Sequence, residues 1–281
     1  MFTSKTRNKT IFLFLISNIF IGHLFSEDLS LIHRVLDARL QTRLCSSSDE
    51  AITYMDSFRK TMENEGKLTA GNDEDNLIID NMIALERYNY MYEKDLNGSD
   101  LKPFILSQYE KINAYKDSCQ GSDFSPWFVL SSGDIINSSM QFLPQATAIK
   151  QGLREKDEYD KVIKDNPQLA FGFINAALWY YFAPAIGGGS KSLAKSYFEH
   201  ALECSDCDYE AFYSRIYLSQ VYFDEGNKDS AKKLIDECEK ILPGTKYVSF
   251  IRYLNQNDFS LMYYTNNRDK VEKNLNKNRA G

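Results

Sequence analysis

The chain has 281 residues, enough for one large domain or two small ones. Its 43% hydrophobic and 26% charged residues exclude wholesale disorder and a polytopic membrane protein. Only 6 prolines and 14 glycines disfavour an all-β sandwich or barrel, and a formal charge of -6 excludes a protein that coats nucleic acid, which needs a basic surface.

Residues 1–10 carry Lys5, Arg7 and Lys9 and no acid. Residues 11–25 are apolar apart from Ser17, Asn18 and His23, and Ser26 precedes Glu27-Asp28. A basic start, an apolar run and a small residue before acids read as a secretory signal, 1–26, cleaved near Ser26. The mature chain is then expected to be exported, periplasmic or extracellular, with a net charge of about -9. Helical spacing begins at 29–44, with Leu31, Ile32, Val35, Leu36 and Leu40 on one face. Ser47 and Glu50 are spaced as a capping box for a helix to about 64, and 66–72 reads as a loop. Further helices are predicted over 73–94, 99–116, 122–142, 145–164, 167–182, 190–204, 208–225 and 229–242, with weaker ones at 245–255 and 258–265. The last residues, 266–281, are polar and are expected to fray. No stretch alternates long enough for a strand. The expectation is an all-α protein of antiparallel helix pairs, with 27–122 a helical region of unassigned type and 123–265 a helical array.

Five cysteines lie beyond the signal: Cys45, Cys119, Cys204, Cys207 and Cys238, an odd number that leaves at least one unpaired. Cys204 and Cys207 form a CxxC, but at a helix-to-helix junction rather than the strand-then-helix setting of redox proteins. Cys45 and Cys119 each fall near a helix end; their pairing does not follow from the sequence. With one CxxC and only His33 and His200 in the mature chain, no metal or cofactor site is expected. His33 and Asp37, spaced i, i+4, are the ordinary neighbours of a helix surface, and His200 should face outward. No nucleophile elbow or zinc-protease motif occurs, so no enzyme is expected. An Asp/Glu-dependent cell-wall hydrolase stands as the alternative, because two carboxylates can converge from anywhere in a fold, and a purely structural or oligomerising role as a third. Residues 169–186 hold no charge, which a buried central helix explains as well as a membrane span. Gly187-Gly188-Gly189 lacks the spacing of a phosphate loop and reads as relief of crowding in a tight connection, with Ser190 as the cap.

The most specific pattern is a repeat. One copy has Leu218-Ser219-x2-Tyr222, Gly226 in the turn, Ala231-x3-Ile235, Cys238 and Pro243, with Arg215 where an aromatic is usual. The preceding copy has Phe173-x2-Ala176-Ala177-x2-Tyr180 and Ala194-x3-Phe198-x2-Ala201, and a worn third begins Trp127-x2-Leu130-Ser131. This resembles the tetratricopeptide repeat (TPR), a 34-residue helix pair, and implies a TPR-like α-solenoid over 123–265. The run from Tyr180 to Ser190 with Tyr197-Phe198-Glu199-x-Ala201-Leu202 is similar to the periplasmic TPR family associated with TRAP transporters (TatT). That resemblance implies an all-α accessory subunit that partners a solute-binding protein and can assemble as a homo-oligomer; the lipid-anchoring Cys of that family has no counterpart here. The TPR resemblance also puts ligands on the concave face, lined by Phe171, Ile174, Leu178 and Tyr181 from one repeat and Tyr213, Ile216, Gln220 and Phe223 from the next. So aromatic a groove implies a hydrophobic protein segment or an apolar small ligand as the partner, or cover by the chain's own helices.

Overall fold

The computed structural model describes residues 25–69, 71, 73–119 and 123–280, the side chains of 25–28 and 277–280 excepted. Most of the expected signal, residues 1–24, lies outside the described residues. The described residues are all-α: α1 (Phe25–Gln41), α2 (Ser48–Asn64), α3 (Glu74–Lys94), α4 (Leu101–Ser118), α5 (Pro126–Ser139), α6 (Gln145–Asp165) and α7 (Ala170–Phe182) are followed by α8 (Lys191–Cys204), α9 (Asp208–Asp224), α10 (Lys228–Ile241), α11 (Lys246–Gln256), α12 (Leu261–Asn266) and α13 (Arg268–Ala280). Short 3-10 turns at Thr42–Leu44, Met140–Phe142 and Ala185–Gly187 finish or join helices.

Local chemistry sets the helix starts. The hydroxyl or carboxylate of Ser47, Asp73, Ser125, Ser190 and Ser260 each accepts a backbone N–H of the first turn it precedes, satisfying a donor the helix cannot. The capping box at α2 is only half formed. Glu50 accepts instead from the backbone N–H of Ser46, at 2.7 Å, and from the Ser46 hydroxyl.

The helices pack as neighbours along the chain, α2 on α3, α5 on α6, α7 on α8 and α9 on α10, with α8 also against α9 and α7 against α9. At these seams Ala177, Ala194, Ala201, Ser219 and Ala231 are fully buried, and Phe198 fills the space the small residues leave. Burying an aromatic of this size contributes about 1.5–3 kcal/mol. α7, the uncharged helix, is buried along most of its length, and no helix among the described residues is long and apolar enough to cross a membrane.

One hydrophobic cluster runs from Ile32 of α1 through α3, α5, α7, α9 and α11 to Leu275 of α13, so residues 27–122 and 123–265 share a core. The C-terminal segment differs from the polar tail predicted for 266–281. It forms α13, and Val271 and Leu275, one turn apart, are buried. That i, i+4 pair supplies the apolar stripe that mean polarity hides.

The α7–α8 connection shows why glycine is repeated there. Gly188 has φ +99°, and a Cβ on Gly189 would stand 1.8 Å from the Ala183 carbonyl oxygen. Gly187, by contrast, has open space around it. Gly189→Ala is expected to cost about 1–3 kcal/mol in urea unfolding, and Gly187→Ala less than about 0.5 kcal/mol. Equal midpoints for the two variants would refute the crowding argument.

Candidate functional site

Where α1 crosses the inner face of α7 and α9, the helices leave a cavity of about 550 Å³. α7 contributes Phe171, Ile174, Asn175, Leu178, Trp179 and Phe182; α9 contributes Tyr209, Tyr213 and Tyr217. Tyr247 of α11 and Leu261, Met262 and Thr265 of α12 add to the wall, and Asp134, Asn137 and Tyr159 come from α5 and α6. Across from the aromatics stand Arg39 and Arg43, one helical turn apart, with Glu86 of α3.

These charges are held in a fixed frame. Arg39 Nε donates to Glu86 Oε2 at 3.2 Å, and the two side chains are 3% and 1% exposed as residues. The other Glu86 oxygen lies 3.1 Å from Thr42 Oγ1, whose single proton is also within reach of the Arg39 carbonyl oxygen at 2.5 Å, and Tyr90 donates to the same hydroxyl at 3.0 Å. Arg43 reaches Glu86 only at 3.9 Å; its Nε donates to the Tyr213 hydroxyl at 2.7 Å and its guanidinium lies 4.3 Å from the Tyr247 ring centre. Arg39 is likewise 5.0 Å from the centre of the Tyr209 ring. Two buried cations therefore share one firmly bonded carboxylate. Arg39 Nη1 is buried and makes no hydrogen bond. Unpaired buried donors are uncommon and mark a place where a ligand acceptor would be stabilised.

Two further carboxyls sit at the α5–α6 side. Burial pushes Asp134 up to about 6, against the pull of Arg39 and the nearby Asn175 amide. Glu155 is fully buried, and neither of its oxygens has a hydrogen-bond partner. Burial pushes it up to about 8, with Glu158 adding to the rise and Lys116 and Arg154 opposing it. It does not line the cavity: it lies against α5 where Gly133 has no side chain, 2.5 Å from where a Cβ would be, beside the Tyr159 hydroxyl.

Phe171, Ile174, Leu178 and Tyr213 of the expected concave set line the cavity. Tyr181, Ile216, Gln220 and Phe223 do not. Gln220 is fully buried and is consumed by bonds to Asn255 and to the Leu261 N–H, 2.8 Å away, and Ile216 is sealed in the core. The Tyr181 hydroxyl donates to Asp224, and Phe223 lies under the Lys228 ammonium. Thus α12 covers Gln220 at one end of the concave face, and the cavity occupies the other. No protein-family model matches the chain, and no curated protein matches it either. The site must be read from its own chemistry.

The sequence pattern did not single out Arg39, Arg43, Glu86, Trp179, Tyr209 or Tyr247. Arg39 carried a usable signal, since it falls three residues after Leu36 and four after Val35, on the buried stripe of α1. All five cysteines carry free thiols, so neither Cys45 with Cys119 nor Cys204 with Cys207 is bonded. His200 is only partly exposed; its ring packs edge-on to Phe173 with centroids 4.3 Å apart. His33 does not meet Asp37, whose carboxylate accepts from Gln41.

Glu155 makes stability pH-dependent with a defined sign. Its folded pKa, about 8, lies above the ordinary 4.5, so the folded state holds a proton that the unfolded chain releases. Stability from this group is complete below pH 4.5 and is lost as pH rises toward 8. Glu155→Gln is expected to be more stable than the parent by roughly 3–5 kcal/mol at pH 8 and above, and about equal near pH 4. Denaturant unfolding across that pH range checks it, and parallel pH profiles for the two proteins would refute it.

Proposed function

We propose that the protein is an exported, TPR-like binding protein whose cavity takes one small ligand with an apolar or aromatic body and an anionic group. The observation that carries this is a cavity of about 550 Å³ walled by aromatic rings and by Arg39, whose buried Nη1 makes no hydrogen bond. That volume falls in the range of small-molecule sites, and a few convergent polar groups in an apolar wall are their usual composition. The buried small residues at the α7–α10 seams support the TPR reading. The cover of α11 and α12 over Ile216 and Gln220 favours a compact ligand over an extended protein segment, which needs an open groove. A ligand-holding subunit also suits the accessory role beside a solute-binding protein that the TRAP-associated resemblance implies.

The hydrolase alternative has one observation in its favour, two carboxyls with raised pKa values, Asp134 and Glu155. An acid catalyst must reach its substrate, and Glu155 is fully buried away from the cavity. Binding is the better reading.

Native mass spectrometry of the protein isolated gently from its own host is expected to find one organic anion per chain. Leu178→Trp, which fills the cavity, should lower its occupancy at least tenfold. An empty parent protein whose Trp179 fluorescence responds to no aromatic or aliphatic carboxylate would refute the reading. Asp134 adds a pH signature. Its negative charge opposes an anion, so affinity should rise as pH falls from 7 through about 6, and Asp134→Asn should bind several-fold more tightly at pH 7 and lose that dependence. A calorimetric titration at two pH values checks both.

A further inference from the structure

Away from the cavity, three side chains of different chemistry converge where α1 meets the turn between α8 and α9. A ring nitrogen of His33, a carboxylate oxygen of Asp206 and the Sγ of Cys207 all lie within 4.8 Å of one another. His33 Nε2 is buried and makes no hydrogen bond, although Asp206 Oδ1 is only 3.2 Å away. The two atoms are close in distance but outside hydrogen-bond geometry, as two groups are when both face a common third point.

The separation fits that third point being a metal ion. Zinc bonds of about 2.0–2.1 Å to nitrogen and 2.0–2.2 Å to oxygen, opened at the tetrahedral angle, put the two donor atoms roughly 3.3–3.5 Å apart. The Cys207 sulfur, within 4.8 Å of the other two ligand atoms, offers the third bond. Cys207 stands at the N-cap of α9, yet its side chain caps nothing. A hollow of about 280 Å³ opens on Asp206, whose side chain is 56% exposed, which gives solvent a way in. One nitrogen, one oxygen and one sulfur suit a borderline-soft cation rather than magnesium or calcium, which take oxygen alone.

We propose that His33, Asp206 and Cys207 form a zinc-type divalent-metal site that clips α1 to the α8–α9 turn. Three protein ligands with a fourth position left to water make an open site. Coordination requires the thiolate, so the Cys207 proton passes to the buffer as the metal binds. The clip joins helices that the sequence keeps 173 residues apart, counted from His33 to Asp206, and no ligand spacing along the chain announces it. It lies six residues along α1 from Arg39, so the metal would fix the helix that carries the cavity's cations. The proposal stands whether or not the cavity binds an anion.

The test titrates Co²⁺ into the full chain, reduced and stripped with chelator. One equivalent should bind with a thiolate-to-cobalt charge-transfer band, and Zn²⁺ should displace it. Cys207→Ser should abolish the band while remaining folded by circular dichroism, since serine is a good N-cap. His33→Ala should weaken binding at least tenfold, and Cys204→Ser should leave the band intact. Absence of stoichiometric binding, or a band that persists in Cys207→Ser or vanishes in Cys204→Ser, overturns the proposal. So does a Cys204–Cys207 disulfide found by mass in protein taken from its host.

Discussion

The carboxylate of Glu86 is the point on which the two halves of the molecule depend. It is buried in α3, bonded to Arg39 and Thr42 at the end of α1, and close to Arg43. A carboxylate taken out of water costs several kcal/mol, which a single ion pair offsets only with good geometry and extra hydrogen bonds. Here the further contacts come from the Thr42 hydroxyl, 3.1 Å away, and the Arg43 guanidinium, 3.9 Å away. The arrangement fixes the end of α1 against α3, and thereby sets where Arg39 and Arg43 stand over the aromatic face of α7 and α9. Without Glu86, Arg39 would lose its only ion pair among the described residues while remaining buried, which is costly.

The same burial governs the other polar groups. Asp80 keeps its charge because Arg59 and Lys111 pair with it, and its carboxyl is held below the usual range despite desolvation. Glu155 has no such partner and keeps its proton instead. Two acids of similar burial thus end in opposite states, and what separates them is whether a cation faces them.

The all-α architecture was legible because α1, α7 and α9 bury apolar residues at helical spacing and because serine, aspartate and glycine mark the junctions. The small residues at the repeat seams could be read from Ala177, Ala194, Ser219 and Ala231. The site was legible only in part. Position within a repeat gives the face that Phe171, Ile174, Leu178 and Tyr213 share, but not what covers it. The cover over Ile216 and Gln220 comes from helices after the repeats, and the cations come from a helix before them. Polarity concealed α13 for a related reason, since two apolar residues one turn apart suffice to dock a helix and barely alter the composition.

Thr245 donates to the Arg43 carbonyl, and Lys246 to that of Ser46, across 202 and 200 residues of chain. These bonds bring the stretch just after α1 against the start of α11, next to Arg43 and Tyr247 of the cavity wall. Each internal pair can fold from near neighbours, but this junction forms only when distant parts of the chain meet, the slow and entropically expensive kind of contact. A ligand held in the cavity would therefore stabilise the junction of the α1 end with α11, a contact between distant stretches of the chain.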